Sequence, residues 1–329
     1  MPVLNQTSAA QTNQPKHRPR AIADWVRVEP MSALLLTGVL ATLVVFFGFV
    51  PLFIKGVYSA GLTSTAGWAW QAWTGEQAHS KLVVLISLGL VCYRWKEIRN
   101  APKRGANWGL SFVVAGILLF LLSARCLQPR IALASLPFLI FGAVVYLWGP
   151  ALGRIVFFPC AFLIFLVPVA ALEQVTFRLQ FLITEVVTHA ARLLSIHLNA
   201  VGTTITAADG SFNFEIAEGC SGIRSLTAMT MLAAVYVHLT QDRLWKKIVI
   251  FVSSVVFAIV GNIGRILTVI IVAKLIDPKL AFGIYHDYSD FVFFPIALFA
   301  MLLFGRLVNL GSHEGPAGPP APDKAAVSV

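Results

Sequence analysis

The segment EGCSGIRSLTAMTMLAAVYVHL, residues 218–239, decides the fold because it changes from polar to apolar within a few residues. Its part from 221 to 239 is long and apolar enough to cross the hydrocarbon core of a bilayer. The preceding residues 203–215, TTITAADGSFNFE, are polar and rich in turn formers. The pattern therefore predicts that Cys220 lies where an exposed loop enters a membrane-spanning helix.

The composition of the whole chain is typical of a membrane protein. Of its 329 residues, 57% are hydrophobic and 12% are charged, whereas soluble domains contain about 25% charged residues. The formal net charge is +10, but the basic residues occur in short clusters between apolar runs. Such clusters are typical of cytoplasmic loops in a multi-span protein, and we therefore predict no nucleic-acid partner.

Eight apolar runs in all predict an all-α integral membrane protein with about eight transmembrane helices. Residues 173–198 have helical periodicity but carry several charges, which predicts one amphipathic helix at the outer surface or against the bundle. The alternating residues around Asp209 and Gly210 predict a small extracytoplasmic β-hairpin. The predicted spans are residues 32–54, 82–95, 108–124, 131–148, 155–172, 221–239, 248–273 and 291–310.

The two ends of the chain differ in composition from the part between them. Residues 1–30 are rich in Gln, Thr, Asn and Pro, and residues 311–329 are rich in Pro, Ala and Gly; both are predicted to be disordered tails. Residues 31–310 are predicted to form one polytopic membrane domain. Basic residues before the first span and in the loop at 94–105 predict that both termini are cytoplasmic.

Three chemically distinct side chains fall into one layer near the extracytoplasmic surface in this topology. Cys220 opens one span, Arg265 lies inside the next span, and His286 precedes the last one. A thiolate is a nucleophile, a guanidinium stabilises a thiolate or an oxyanion, and an imidazole transfers protons. The layer indicates a nucleophilic cysteine site. A buried cysteine, a structural ion pair and a solvated loop histidine are the separate alternative interpretations of these residues.

Neighbouring residues have supporting roles in this hypothesis. The N–H groups of the following helix and the guanidinium of Arg224 or Arg265 favour the thiolate form of the cysteine. Asn262 lies three residues before Arg265, on the same helical face, where it would orient the arginine or donate to an oxyanion. Gly222 leaves space for a substrate backbone to approach.

The carboxylates and remaining histidines add little chemistry of their own. Asp287 and Asp290 are candidates to orient His286. The other histidines and the glutamates near Cys220 have no spacing typical of metal ligands. We therefore predict neither a metal nor another cofactor.

Three motifs together resemble the exosortase/archaeosortase family of membrane cysteine transpeptidases. They are AEGCSGIRSL at 217–226, GNIGRI at 261–266, and a histidine outside the following span. FFPCAFLIFLVPV is similar to the Pro-rich central span of that family. HSKLVVLISLGLVCYRWKE is similar to its early His-Ser span with the following basic loop. The resemblance covers roughly residues 65–308.

The resemblance implies an enzyme of the bacterial or archaeal cytoplasmic membrane with its active site on the extracytoplasmic side. Its substrates would be secreted proteins held in the membrane by a C-terminal sorting signal of the PEP-CTERM kind. Such a signal is a short motif such as Pro-Glu-Pro, one transmembrane helix and a basic cluster. Carried over to this chain, Cys220 would attack the scissile carbonyl and form a thioester. Arg265 would stabilise charge and His286 would move protons. Ser221 and Gly222 complete the Cys-Ser-Gly motif, and Arg224 is a possible second arginine of the site.

The acceptor and the class of function stay open at this point. An amine, a hydroxyl or water would resolve the thioester, so both a transpeptidase that uses a lipid or glycan acceptor and a protease fit the sequence. A polytopic transporter, or a non-catalytic scaffold for the export of envelope polymers, is the alternative. It fits because ionisable residues within spans also mark transport pathways.

Overall fold

The computed structural model describes residues 30–54, 62–73, 80–168, 171–216 and 222–310. Helices make up 79% of the structure. The predicted tails at 1–30 and 311–329 lie outside the described residues except for Pro30. The helices within the described ranges are α1 (Pro30–Leu43), α2 (Thr65–Ala72), α3 (Ser80–Tyr93), α4 (Trp95–Asn100), α5 (Gly109–Cys126), α6 (Pro129–Trp148), α7 (Pro150–Phe162), α8 (Ala171–Leu193), α9 (Ile223–Thr240), α10 (Leu244–Leu275), α11 (Pro278–Leu280) and α12 (His286–Leu310).

Among the residues that the structure describes, five helical segments are long and apolar enough to cross a membrane. They are α5, α6, α9, α10 and the part of α12 that begins at Tyr288. Three shorter apolar segments, Thr37–Phe49, Ser80–Tyr93 and Pro150–Leu166, overlap the remaining predicted runs. The chain is therefore a mostly helical, multi-span membrane protein, and the full number of eight crossings stays a prediction.

The helix at the first predicted span, 32–54, ends before the apolar run does. Helix α1 continues as a π-helical turn to Phe49, after which Val50 is extended with ψ of 116°. Pro51 explains this end, because the proline ring disfavours the helical conformation of the residue before it. Strand β1, Phe53–Ile54, then pairs antiparallel with strand β2, Leu62–Thr63.

A second proline corrects the bounds of the fifth predicted span, 155–172. Helix α7 begins at Pro150 and tightens into a 3₁₀ turn, Leu163–Leu166, and Val167 before Pro168 is extended. The amphipathic helix predicted at 173–198 is α8, which ends at Leu193. Ser195 ends it in the left-handed conformation with φ of 62°, and the Ile196 N–H donates to the Ala191 carbonyl at 2.9 Å. The last residue of the predicted helix, Leu198, thus belongs to a strand of a β-sheet.

This sheet has three antiparallel strands in the order β3, β4, β5. Strand β3 (Leu198–Val201) pairs with β4 (Thr204–Ala207), and β4 pairs with β5 (Asn213–Glu215). The Ala207 N–H donates to the Phe212 carbonyl at 3.0 Å and closes the turn that contains Asp209 and Gly210. Strand β3 was not predicted, because its first residue, Leu198, was assigned to the end of the amphipathic helix.

The sheet, helix α8 and the C-terminal half of α10 share one hydrophobic core. Helix α8 contributes buried residues four positions apart, among them Ile183 and Val187, as expected for one helical face. Strand β4 contributes Ile205, and α10 contributes Val269 and Ile270. One stripe of the amphipathic helix is therefore covered by protein, whereas Phe177, Phe181 and Leu182 of the same helix are exposed. This core holds the sheet against the C-terminal half of α10, which carries Arg265.

An ion pair also attaches the sheet to α10. The Lys274 ammonium donates to a carboxylate oxygen of Asp209. The Asp209 carboxylate also accepts from the Ser211 hydroxyl at 2.8 Å and from the Ser211 N–H at 3.2 Å. The bond to Lys274, followed by those to Ser211, lowers the pKa of Asp209 below its ordinary value.

The lowered pKa predicts the pH range in which this ion pair acts. Because the folded pKa lies below the ordinary value of about 3.9, the stabilisation is fully present above about pH 4, decreases as pH falls below it, and is lost only when pH falls through the folded pKa. We expect Asp209→Asn to lower the thermal unfolding midpoint slightly at pH 7 and low salt, to have a smaller effect at pH 3, and to have none in 1 M salt. Unfolding of both proteins in detergent checks this. Equal midpoints at pH 7 and low salt would contradict it.

Helices α9, α10 and α12 form a closely packed unit that carries the candidate site. Their shared core contains Met229 and Ala233 from α9, Ala258 from α10, and Ala297 and Met301 from α12. Small side chains at these contacts allow the helices to approach closely, as is usual for helices in membranes. The close approach brings polar side chains on α10 within hydrogen-bonding distance of the start of α12.

Candidate active site

Gly222 is the first described residue after the predicted nucleophile, and it caps the N-terminus of α9. Its φ of 77° is left-handed, a conformation that glycine adopts without steric cost. Its carbonyl accepts from the Leu226 N–H at 2.8 Å. A Cβ atom at this position would lie 2.6 Å from Cγ and from Nδ2 of Asn262. The start of α9 therefore touches α10 directly.

Arg265 lies one helical turn after Asn262 on α10, and only 4% of it is exposed. Its guanidinium faces the start of α12. Nε donates to Oγ of Ser289 at 3.1 Å, Nη1 donates to Oδ1 of Asp290 at 2.6 Å, and Nη2 lies 3.4 Å from Nε2 of His286. The arginine thus joins α10 to α12 through three separate contacts.

Helix α12 begins at His286, five residues before the predicted start of the last span. The last predicted span, 291–310, left this histidine outside the helix, and this bound was wrong. His286, Ser289 and Asp290 have the spacing i, i+3, i+4, which gives them one face of the helix. The Ser289 hydroxyl also donates to the His286 carbonyl at 2.9 Å. A π-helical turn, Ala281–Tyr285, leads directly into α12, so the helical run begins well before the apolar run.

The contact between His286 and Arg265 has a chemical consequence. A guanidinium can only donate hydrogen bonds, so a hydrogen bond at this contact uses Nε2 of His286 as the acceptor. The imidazole is half-buried, and its ring lies 6.0 Å from that of Phe214 in strand β5, at a steep angle. Phe214 in turn stacks on Phe282 with ring centroids 4.8 Å apart. The sheet therefore supports one side of the imidazole.

Comparison with known protein families matches residues 68–303 to the transmembrane exosortases. The match covers more than two thirds of the 329-residue chain. The chain belongs to the transmembrane exosortase family. No curated protein and no solved structure gives a significant match. Gly222, Arg265 and His286 all lie inside the part of the exosortase chain that the family match covers.

The structure brings together most of the residues that the sequence analysis selected. Asn262, Arg265 and His286 lie at one junction of α9, α10 and α12, and Gly222 touches it. Arg224 is exposed in the first turn of α9, whereas Arg265 is buried. Of the two arginines considered for the main role, Arg265 is the one that is buried and held by hydrogen bonds.

Two predicted residues, Cys220 and Ser221, lie outside the described residues of the exosortase. The chain itself limits the distance between the cysteine and the site. Consecutive Cα atoms are about 3.8 Å apart, so the Cα of Cys220 lies within about 7.6 Å of the Cα of Gly222.

Two residues at the junction had no assigned part in holding Arg265. Ser289 is 3% exposed and was not selected, and Asp290 was expected to orient His286 but contacts Arg265 instead. The i, i+3, i+4 spacing of His286, Ser289 and Asp290 was the available signal. It was missed because the last predicted span began only at residue 291. Both residues fix the plane of the guanidinium, because they bind two of its nitrogens.

The space beneath Arg265 is small. A cleft lined by Asn262, Arg265, Asp290, Phe293 and other residues of the three helices has a volume of about 10 Å³, which is room for about one water molecule. A peptide is too large for this cleft and would have to approach the guanidinium from outside it. Within the described ranges, no three His, Cys, Asp or Glu side chains lie close enough together to hold a metal ion.

The contact between Gly222 and Asn262 makes a direct prediction. We expect Gly222→Ala to lower the thermal unfolding midpoint and to displace the start of α9, because the new Cβ would collide with Asn262. Gly202→Ala is a matched control, since Gly202 has φ of 66° but no atom within 4 Å of an added Cβ. The left-handed backbone costs alanine about 1–2 kcal/mol at either site, so the excess loss at Gly222 measures the collision. Equal losses in the two variants, measured by unfolding in detergent, would contradict the prediction.

Proposed function

We propose that this exosortase is a membrane-embedded cysteine transpeptidase that cleaves the C-terminal sorting signal of secreted proteins. The observation that carries the proposal is the junction of Arg265 with His286, Ser289 and Asp290, with Asn262 against Gly222 one turn away. Cys220 precedes that glycine by two residues. A nucleophile, a charge-stabilising group and a proton carrier are the three groups that acyl transfer requires.

The buried arginine favours a catalytic site over ordinary helix packing. Placing one arginine inside a membrane span costs about 2.5–3.5 kcal/mol on insertion scales. Its partner Asp290 is 36% exposed at the side chain, whereas the Arg265 side chain is 5% exposed. The carboxylate thus orients the guanidinium from one side. Two further contacts complete a fixed, water-poor environment, in which a charge-stabilising group is most effective.

The first chemical step forms a thioester. Nε2 of His286 exchanges its contact with Arg265 for the Cys220 thiol and takes the thiol proton, directly or through one water molecule, and the thiolate attacks the scissile carbonyl carbon. The oxyanion of the tetrahedral intermediate is stabilised by the Arg265 guanidinium and by the Asn262 amide. When the intermediate collapses, the C–N bond breaks. His286 returns its proton to the leaving amine, which departs with the sorting helix of the substrate.

The second step transfers the protein to an acceptor. An amine, a hydroxyl or water attacks the thioester, His286 takes its proton, and the proton returns to the sulfur as the cysteine leaves. A lipid or glycan that bears the attacking group would make the enzyme a transpeptidase, and water would make it a protease. No step requires a cofactor.

The proposed location of the site is the extracytoplasmic side of the cytoplasmic membrane. Basic residues around the loop at 94–105 favour the cytoplasm, and in this proposal α8, the sheet and the start of α9 lie on the opposite side of the membrane. Residues 31–310 form the membrane domain in this proposal, and the tails at 1–30 and 311–329 are cytoplasmic. A substrate held by one transmembrane helix would reach the site by diffusion within the bilayer.

Hydroxylamine tests the thioester step separately from the identity of the acceptor. Membranes that contain the exosortase and a precursor with a Pro-Glu-Pro sorting signal are incubated with hydroxylamine, which attacks thioesters. We expect a processed protein that ends in a hydroxamate at the cleavage position, detected by mass spectrometry. An intact precursor without hydroxamate, at normal levels of the exosortase, would favour the alternative of a transporter or a non-catalytic export scaffold.

A further inference from the structure

An elongated groove runs along the outside of helices α5, α6 and α7, away from the candidate active site. It has a volume of about 330 Å³ and is lined almost entirely by apolar atoms. Its walls include Phe112 from α5, Phe138 and Phe141 from α6, and Phe157 and Ala161 from α7. The rings contact one another: Phe112 stacks on Phe138, and Phe141 meets Phe157 edge to face at 5.7 Å. The aromatic wall is therefore continuous.

The groove continues into a second cavity of about 280 Å³. The two share Phe141 and Phe157, and the second ends at Trp108 and Arg154. On α7, the lining residues Arg154, Phe157 and Ala161 follow at helical spacing. One path therefore runs along the helix from a cation at its first turns to an apolar end.

The cationic end adjoins the most basic segment between two helices. Arg154 is exposed in α7. The backbone of Arg104, another exposed arginine, is fixed at the same end, because its N–H donates to the Trp148 carbonyl at 3.2 Å. Basic pockets between transmembrane helices bind anionic lipid headgroups, and tryptophan at such a position is typical of the membrane interface. The charge of this end therefore matches an anionic headgroup.

We propose that this groove binds one anionic phospholipid from the leaflet that adjoins the basic segment at 94–105. The phosphate lies against Arg154 as a charge-assisted contact, and one acyl chain runs between Phe141 and Phe157 toward Ala161.

Native mass spectrometry with added lipid tests the proposal. The purified full-length chain is delipidated in detergent and titrated with phosphatidylglycerol or phosphatidylcholine of the same acyl chains. We expect one phosphatidylglycerol to bind per chain with at least tenfold higher affinity than phosphatidylcholine. Equal affinity for the two lipids would overturn the proposal.

Two variants and a control locate the binding. Arg154→Gln removes the cation, and Ala161→Phe fills the exposed apolar end; each is expected to weaken phosphatidylglycerol binding at least tenfold. Arg125→Gln is the control, since Arg125 is equally exposed at the opposite end of α5 and is expected to bind as the wild type does. Unchanged binding by Arg154→Gln, or displacement of the lipid by a synthetic single-span peptide at equal concentration, would overturn the proposal. Thermal unfolding of each variant shows that the fold is retained.

Discussion

Replacing Cys220 with alanine is expected to reduce precursor processing at least about 10³-fold, because the nucleophile cannot be substituted by the remaining site groups. The amount of the exosortase in the membrane is expected to stay the same. The precursor keeps its sorting helix and accumulates, so its size on an immunoblot measures the effect. Cys220→Ser is expected to be nearly as inactive, since a hydroxyl loses its proton far less readily than a thiol.

Cys92→Ala is the matched control for this experiment. Cys92 is an exposed cysteine on α3 with a free thiol, and it takes no part in the proposed chemistry. Processing by this variant is expected to equal that of the wild type. Continued processing by Cys220→Ala at a tenth of the wild-type rate or more would reject the proposed mechanism, whatever the identity of the acceptor.

Replacing Arg265 with lysine is expected to reduce the rate of processing about 10²–10³-fold, the usual loss when one oxyanion donor is removed. Lysine keeps the positive charge but not the planar fork. A single ammonium cannot reproduce the geometry with which the guanidinium contacts Ser289, Asp290 and His286. We expect the loss in kcat rather than in KM, since the oxyanion exists only in the transition state and intermediate.

A structural role of Arg265 alone would produce a different result. In that case the lysine variant would lose thermal stability while its folded fraction kept the wild-type kcat. Asp290→Asn helps to separate the two roles, because it keeps an acceptor near Nη1 but removes the charge. Arg306→Lys, at an exposed position near the other end of α12, is the matched control and is expected to have wild-type kinetics. Full activity of Arg265→Lys would remove the charge-stabilising role.

The hydropathy of the sequence predicted apolar helices, five of which are long enough to cross a membrane within the described residues, because hydrocarbon selects apolar composition over a fixed length. The bounds of the helices were less accurate. The first predicted span continued to residue 54, but Pro51 ends the helix earlier. The last predicted span began at 291, but α12 begins at His286, directly after a π-helical turn. Apolar runs measure contact with lipid and do not register helical turns that are stabilised by polar partners.

The sheet was predicted only in part. The Asp209-Gly210 turn identified the strands on either side of it, which lie close in the chain. Strand β3 also has a local signal, because Gly202, with φ of 66°, lies in the two-residue turn that joins β3 to β4. This signal was missed because the amphipathic helix was extended to residue 198, which is the first residue of β3.

The sequence by itself determined that this chain crosses the membrane repeatedly, and it selected Cys220, Arg265 and His286 as the candidate catalytic residues. These are local properties, since solvent and backbone chemistry act on each segment separately. Only the tertiary structure decided that Arg265 is held by Ser289 and Asp290, and that an aromatic groove ends at Arg154. Such contacts depend on the rotation and depth of each helix relative to its neighbours, which are set by side-chain packing between segments far apart in the chain.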